Sequence, residues 1–405
     1  MSTSIEPGAS RLVEVDALRG FALFGILVVN SAVFASPYYG SGLADPAFTS
    51  PLDQATRWLL ATFFEGKFYL LFSFLFGYSF TLQMASAERA GANFLPRIWR
   101  RQIGLALIGI AHAVLLYPGD ILTTYAVLGL VLLALRRISD RRALQLAVLL
   151  VVLIALLLAT AGLTMWLLSE GPDPATIHAD SRQAIAAYRQ SPATALCQNL
   201  RDLPESLLGI GLLQAPSALA MFLLGLVAGR RRLFAELLDH RHILQRMLWI
   251  GMLVGLPGAL GYAYATTRFN DLAISVLGLA LGWLTAPLLT GAYIAAAMLA
   301  FQTPRGGQAA RRLAPAGRMA LSNYLLQSLV CALIFTAYGL GEVGRIAPPA
   351  VLLLACGIFT GQLALSDWWL REHTYGPVEW LLRALTLAKW PAWRTPPAAP
   401  IAKTC

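Results

Sequence analysis

The chain has 405 residues, of which 57% are hydrophobic and only 13% charged, with 31 Lys and Arg against 21 Asp and Glu. That balance excludes a soluble globular protein, because lipid has to be the solvent for most of such a chain. The net charge of +10 is divided among short clusters beside apolar stretches and forms no single basic patch, which argues against nucleic-acid binding and for contact with lipid headgroups.

In chain order, apolar stretches near 18–36, 67–86, 102–118, 120–136, 143–168, 206–228, 246–267, 272–301, 318–340 and 346–370 each approach the ~20 residues that cross a bilayer. The first follows a mixed segment (Arg11, Glu14, Asp16, Arg19) with no small-residue cleavage site close behind it, so it reads as a retained span and not a removed signal peptide. Basic residues gather in alternate linkers: Arg89 to Arg101, Arg136 to Arg142, Arg230 to Arg246 and Arg305 to Arg318. The intervening linkers are poor in Lys and Arg, and the positive-inside rule then puts both termini in the cytoplasm. The expectation is an all-α polytopic membrane helix bundle of about ten transmembrane helices, with 1–405 as one transmembrane domain. Within it, 170–205 is an irregular extracytoplasmic loop holding a short helix near Ser181–Tyr188, and 371–405 is a cytoplasmic C-terminal segment. Pro51–Glu65 and Tyr375–Leu387 read as interfacial helices. Cys197, Cys331, Cys356 and Cys405 have neither metal-ligand spacing nor a CxxC pair, so no metal and no disulfide framework is expected.

Polar groups inside spans are costly and therefore become candidates for function. Arg19 and Asn30 lie eleven positions apart, about 16 Å along one helix. Arg19 either anchors the span or contacts a phosphate, and Asn30 either joins two helices or lines a polar site. Glu65-Gly66-Lys67 precedes a dense aromatic run. At i, i+2 the acid and the base do not face each other, so each needs its own partner. Both can snorkel to the interface; buried, Glu65 becomes a candidate general acid or base. His112 is followed by Asp120, a spacing open to packing and helix capping or to an Asp-oriented imidazole. Asn323 and Gln327 share one helical face, which suits either interhelical hydrogen bonds or a lining role. The expectation is that Arg19, Asn30, Glu65, Lys67, Asn323 and Gln327 converge on one cavity. Glu379 and Arg383 read as a surface i, i+4 pair.

Taken together, Asp16-Ala-Leu-Arg-Gly-Phe … Val29-Asn30, Glu65-Gly-Lys-Phe68 with Phe72-Ser-Phe-Leu-Phe-Gly77, Gly119-Asp-Ile-Leu122, Asn323-Tyr-Leu325 with Gln327-Ser328, and Gly376-Pro-Val-Glu-Trp380 with Arg383 resemble the YeiB-like family of bacterial inner-membrane proteins. The resemblance covers nearly the whole chain and implies a multi-pass protein of the bacterial inner membrane. More distantly, Leu18-Arg19-Gly20 … Val29-Asn30 is similar to the first span of the transmembrane acyltransferase superfamily, which includes polysaccharide O-acetyltransferases and heparan-α-glucosaminide N-acetyltransferases. That resemblance implies acetyl-CoA or another acyl-CoA as donor, with Arg19 and Arg318 toward its phosphates. The acceptor is then a glycan, lipid or small molecule. Asn30 stands where the polysaccharide enzymes carry a catalytic His and cannot act as a base, so that role passes to Glu65 or to His112 with Asp120. Asn30, Lys67, Asn323 and Gln327 are left as binding or oxyanion-stabilising groups. The alternative is a transporter or flippase in which the same residues line a path without covalent chemistry; a homo-oligomer is compatible with either.

Overall fold

The computed structural model describes residues 12–168, 171–237, 239–269 and 271–394. Arg11, Glu170 and Cys405 lie outside these. The described residues are helical almost throughout, in the order α1 (Val13–Ala35), α2 (Pro51–Phe63), α3 (Phe68–Arg89), α4 (Phe94–Leu115), α5 (Leu122–Ala134), α6 (Asp140–Leu168), α7 (Pro174–Gln190), α8 (Pro192–Gly209), α9 (Ala215–Arg230), α10 (Arg241–Ile250), α11 (Leu256–Arg268), α12 (Leu272–Phe301), α13 (Pro304–Arg318), α14 (Ala320–Phe335), α15 (Pro348–Glu372) and α16 (Pro377–Leu387). Helices satisfy their own backbone groups, which is what a chain in hydrocarbon requires. Eight helical segments among the described residues are long and apolar enough to cross a membrane, or nine when α13 and α14, bent by 76°, are counted as one span. The expected span at 120–136 is instead α5, 13 residues long, which at 1.5 Å per residue reaches only about 20 Å.

Two expected loops are helical, for one physical reason. Proline at the first helical position costs no hydrogen bond, since that N–H has no intrahelical acceptor. Thus Pro174 and Pro192, read above as loop residues, start α7 and α8 behind the caps Asp173 and Ser191, whose side chains accept from Ala175 N and Thr194 N. Pro304 does the same for α13, behind a Thr303 cap on Gly306 N, in what the sequence alone offered as a linker. Pro51 opens α2, and Ser50 and Asp53 close a reciprocal capping box there.

Prolines farther inside act differently. Ala215-Pro216 and Leu256-Pro257 each follow a five-residue π-helical turn, at Ile210–Gln214 and Gly251–Gly255. Pro216 cannot donate to Leu212 O, and its ring would crowd that carbonyl. The ladder widens instead, with Ala215 N bonding back to Ile210 O and Leu256 N to Gly251 O.

Without a hydrophobic drive between helices in lipid, close backbone approach holds the bundle. α3 and α9 cross at Gly77 and Gly225, where an added Cβ would lie 2.1 Å from Phe222 O and 2.0 Å from Phe74 O. α1 meets α13 at Gly317, where a Cβ would lie 1.8 Å from Asp16 O. Two large apolar clusters flank α1: one runs through Leu23, Leu27, Phe222 and Phe335, the other through Leu18, Phe68, Phe74 and Met298.

Candidate functional site

Between α2 and α3 the chain makes a turn at Phe64-Glu65-Gly66-Lys67. Gly66 has φ of 76°, a left-handed conformation that a Cβ would strain. The turn separates the acid from the base, and each has its own partners. Tyr39 Oη donates to Glu65 Oε1 at 2.6 Å, and Tyr262 Oη donates to Oε2. Lys67 is only 2% exposed, so it does not snorkel to the interface. Its Nζ donates to Ala61 O at 2.7 Å and lies 5.5 Å from the centroid of the Tyr262 ring. Its carbonyl accepts from Thr290 Oγ1 at 3.1 Å, which ties the turn to α12. An ammonium buried without such partners would cost several kcal/mol, on the order of the desolvation penalty per ion.

These groups open on an internal cavity of about 280 Å³. α1 contributes Val29 and Asn30, the α2–α3 turn Glu65 and Lys67, α11 Tyr262, and α12 Trp283. Tyr117, Gln214 and Tyr324 complete the polar part of the wall.

Behind Tyr117 and Tyr324 lies a second polar pair. His112 Nδ1 is 2.9 Å from Asp120 Oδ1, and both side chains are 1% exposed. The other oxygen of Asp120 accepts from Thr123 N at 2.9 Å and Thr123 Oγ1 at 3.0 Å. One carboxylate therefore caps the start of α5 and orients the imidazole at once, so the two readings of Asp120 coexist. His112 Nε2 is buried with no hydrogen-bond partner among the described residues. Its ring centroid lies 5.1 Å from that of Tyr324 and 6.2 Å from that of Tyr117. Both tyrosines line the cavity, whereas His112 itself does not.

Of the six residues expected to converge, Asn30, Glu65 and Lys67 share this cavity, and Arg19, Asn323 and Gln327 do not. Arg19 sits about three helical turns away along α1. Its guanidinium bonds Asp16 Oδ1 at 2.5 Å and Ser79 Oγ at 2.6 Å. Arg318 stands at the bend between α13 and α14, also outside the cavity. Asn323 and Gln327 do share a face, and that face meets α15: Asn323 Nδ2 donates to Ser366 Oγ at 2.9 Å and Gln327 Nε2 to Gln362 Oε1 at 2.8 Å. Asn323 Nδ2 also reaches Ala316 O at 3.1 Å across the bend, so it fixes the α13–α14 corner. Replacing Asn323 by Ala strands Ala316 O and Ser366, and should cost about 1–3 kcal/mol in a reversible unfolding measurement; an unchanged unfolding midpoint would remove that role.

Glu379 and Arg383 do not pair with each other. Glu379 accepts from Leu321 N at 2.6 Å, Ser322 N at 3.0 Å and Ser322 Oγ at 2.5 Å, capping the exposed amides at the start of α14. The Arg383 guanidinium lies 4.9 Å from the Tyr375 ring centroid. Sequence reasoning overlooked Tyr39, Gln214, Tyr262 and Trp283. For Gln214 the signal was present, since a proline two residues after a glutamine in an apolar run marks a distorted helical turn.

An all-helical bundle with eight or nine membrane-length segments, closed around a cavity with a carboxylate and an ammonium at its wall, defines a multi-pass membrane protein with a buried polar site. The chain belongs to the YeiB-like family. It is 34% identical over 406 residues to "Uncharacterized protein YxaH" of Bacillus subtilis (strain 168), covering 96% of this chain and 98% of that relative. "Uncharacterized protein YeiB" of Escherichia coli (strain K12) is 28% identical over 397 residues, at 93% and 96% coverage. An "Uncharacterized 39.9 kDa protein in amylase 3'region" of Bacillus acidopullulyticus is also 28% identical, over 389 residues, at 93% and 94% coverage. Residues 228–389 match the family described as "Protein of unknown function (DUF418)". That match includes Tyr262, Trp283 and Tyr324 of the cavity, whereas Glu65, His112 and Asp120 precede it.

Proposed function

We propose that this chain is a membrane-embedded acyltransferase of the bacterial inner membrane, moving an acyl group from cytoplasmic acyl-CoA to an acceptor hydroxyl or amine in the Glu65 cavity. The observation that carries this reading is the presence of a carboxylate base and N–H donors together on one cavity wall. Each Glu65 oxygen accepts one phenol and keeps a further lone pair, so the carboxylate has room for the acceptor's proton. As the proton moves to Glu65, the acceptor atom bonds to the thioester carbonyl carbon. The carbon–sulfur bond then breaks, and sulfur leaves as thiolate to be protonated by Glu65. In this reading Lys67 Nζ and Asn30 Nδ2 donate to the oxyanion that forms in between. His112, oriented by Asp120, is a second titratable position one aromatic layer deeper, reached when Tyr117 or Tyr324 turns aside.

The donor is a substrate, approached from the end of the bundle where Arg19 and Arg318 lie. Arg101 is within electrostatic reach of Arg19, Arg383 and Glu379 at the same end. Three guanidinium groups against two carboxylates, Glu379 and the Asp16 paired with Arg19, leave this end net positive, which suits phosphate. Equilibrium binding of radiolabelled acetyl-CoA to the purified chain tests this directly. Saturable binding competed by CoA supports the reading. Failure of acetyl-CoA to bind, together with dissipation of a solute gradient by the reconstituted protein, replaces it with a transporter or flippase.

The same reading has both termini in the cytoplasm. With native cysteines replaced, Asp180→Cys in α7 should react with an impermeant maleimide added outside intact cells, and Arg311→Cys in α13 should react only after permeabilisation. Labelling of both from the same side would reverse or discard that orientation.

A further inference from the structure

If the Glu65 cavity is the binding site, as the proposed function has it, the chemistry of its wall selects the class of molecule that it accepts. Gln214 is the last residue of the π-helical turn Ile210–Gln214, and it lines the cavity together with residues of α1. A π turn adds a residue to the helical circuit, so side chains after it are rotated relative to an unbroken α-helix. Pro216 forces that turn, as argued above, and Gln214 reaches the cavity from it.

Asn30 on α1 is the other amide in the wall. Among the described residues neither Asn30 nor Gln214 has a side-chain hydrogen bond to the protein. Each amide carries two N–H donors and an acceptor oxygen. Such groups at membrane depth are costly unless something pairs with them. Gln102, also without a partner, is packed against Gly129 in the core and does not line this cavity. Asn30 and Gln214 differ from it because they border open space.

The charges in the wall are already balanced. Glu65 and Lys67 are the only carboxylate and the only ammonium among the lining residues, and they lie within electrostatic reach of each other. Glu65 is held by two phenols, and Lys67 by a carbonyl and an aromatic face. A charged ligand would add an uncompensated charge to this site, whereas a neutral one adds none. The rest of the wall is aromatic, with Trp283, Tyr69 and Phe64 offering flat apolar surface.

We infer that Asn30 and Gln214 are a ligand-reading pair, and that the cavity takes a neutral molecule whose amide or hydroxyl group sits between them while its apolar body rests on the aromatic wall. For acyl transfer this makes the acceptor a hydroxyl and not an ammonium.

Three probes of one shape and different charge test this without any catalytic readout: benzamide, benzoate and benzylammonium. Thermal unfolding of the full chain in nanodiscs is followed as each is titrated. Benzamide should raise the unfolding temperature in a saturable way, and the two ions should not. Gln214→Ala and Asn30→Ala should each need at least tenfold more benzamide for the same shift. Gln214→Glu, which keeps the shape and adds a charge, should lose the response to benzamide and gain one to benzylammonium. A larger shift with either ion in the wild-type chain overturns the inference even if a variant fails to fold. So does an unchanged benzamide response in both alanine variants. Saturable benzamide binding without binding of acetyl-CoA would leave this inference standing and remove the acyltransferase reading.

Discussion

Glu65→Gln should lower acyl transfer by about 10²–10⁴-fold, the range a positioned general base contributes. The change removes the proton acceptor and keeps the length of the side chain. Glutamine can still take one phenol proton on its amide oxygen, so either Tyr39 or Tyr262 retains a partner. The unfolding midpoint should therefore move by only a few degrees while turnover collapses. Lys67→Met should behave differently. It removes the donor to Ala61 O and the cation over Tyr262, so stability and turnover fall together. Parallel loss of stability and activity in Glu65→Gln would mean that the carboxylate is a packing element of the α2–α3 turn. Wild-type turnover in that variant would remove it from the mechanism.

Gly225→Val should prevent recovery of folded protein altogether. The Cβ of any other residue there would sit 2.0 Å from Phe74 O and 2.8 Å from Tyr78 N, both backbone atoms that no side-chain rearrangement can move. On the facing helix a Cβ added at Gly77 would lie 2.1 Å from Phe222 O, so neither partner can yield to the other. Overpacking in a close-packed interior costs about 1–3 kcal/mol and more where the obstacle is backbone. Gly361→Val on α15 is the control, since nothing lies within 4 Å of its added Cβ. Size-exclusion profiles of the two variants after detergent extraction should show an aggregate for the first and a wild-type peak for the second. A wild-type peak for both would mean that the α3–α9 crossing is not a fixed contact.

Composition and the spacing of apolar runs were enough to read the class of fold, because twenty-residue apolar stretches in lipid leave few alternatives to a helix bundle. Short elements were harder. α5 is largely apolar and continues from a turn, so hydropathy alone merges it with a full span, although its 13 residues fall short of one. The expected short helix near Ser181–Tyr188 is the middle of α7, but the full length of α7, and all of α8 and α13, were hidden by prolines that break a helix in its interior but start one at its first position. At the site, Glu65, Lys67, Asn30, His112 and Asp120 were visible as polar groups within apolar surroundings. Their division was not. Asn323 and Gln327 look the same in sequence whether they face a cavity or Ser366 and Gln362 on α15, because that choice depends on which helix packs alongside. Tyr39, Tyr262 and Trp283 are ordinary aromatic residues of an aromatic-rich chain until folding brings two of them to one carboxylate and the third to the cavity wall.

The central claim is that the Glu65 cavity carries out acyl transfer, and release of free CoA thiol measures it most directly. Purified chain in proteoliposomes, given acetyl-CoA on the face where Arg19 and Arg318 lie and a hydroxyl-bearing acceptor on the other, should liberate thiol continuously. The rate should saturate in both substrates, with Glu65→Gln reduced to background. Thiol release at the background rate by the wild-type protein, with the fold intact and acceptors varied, would contradict the account.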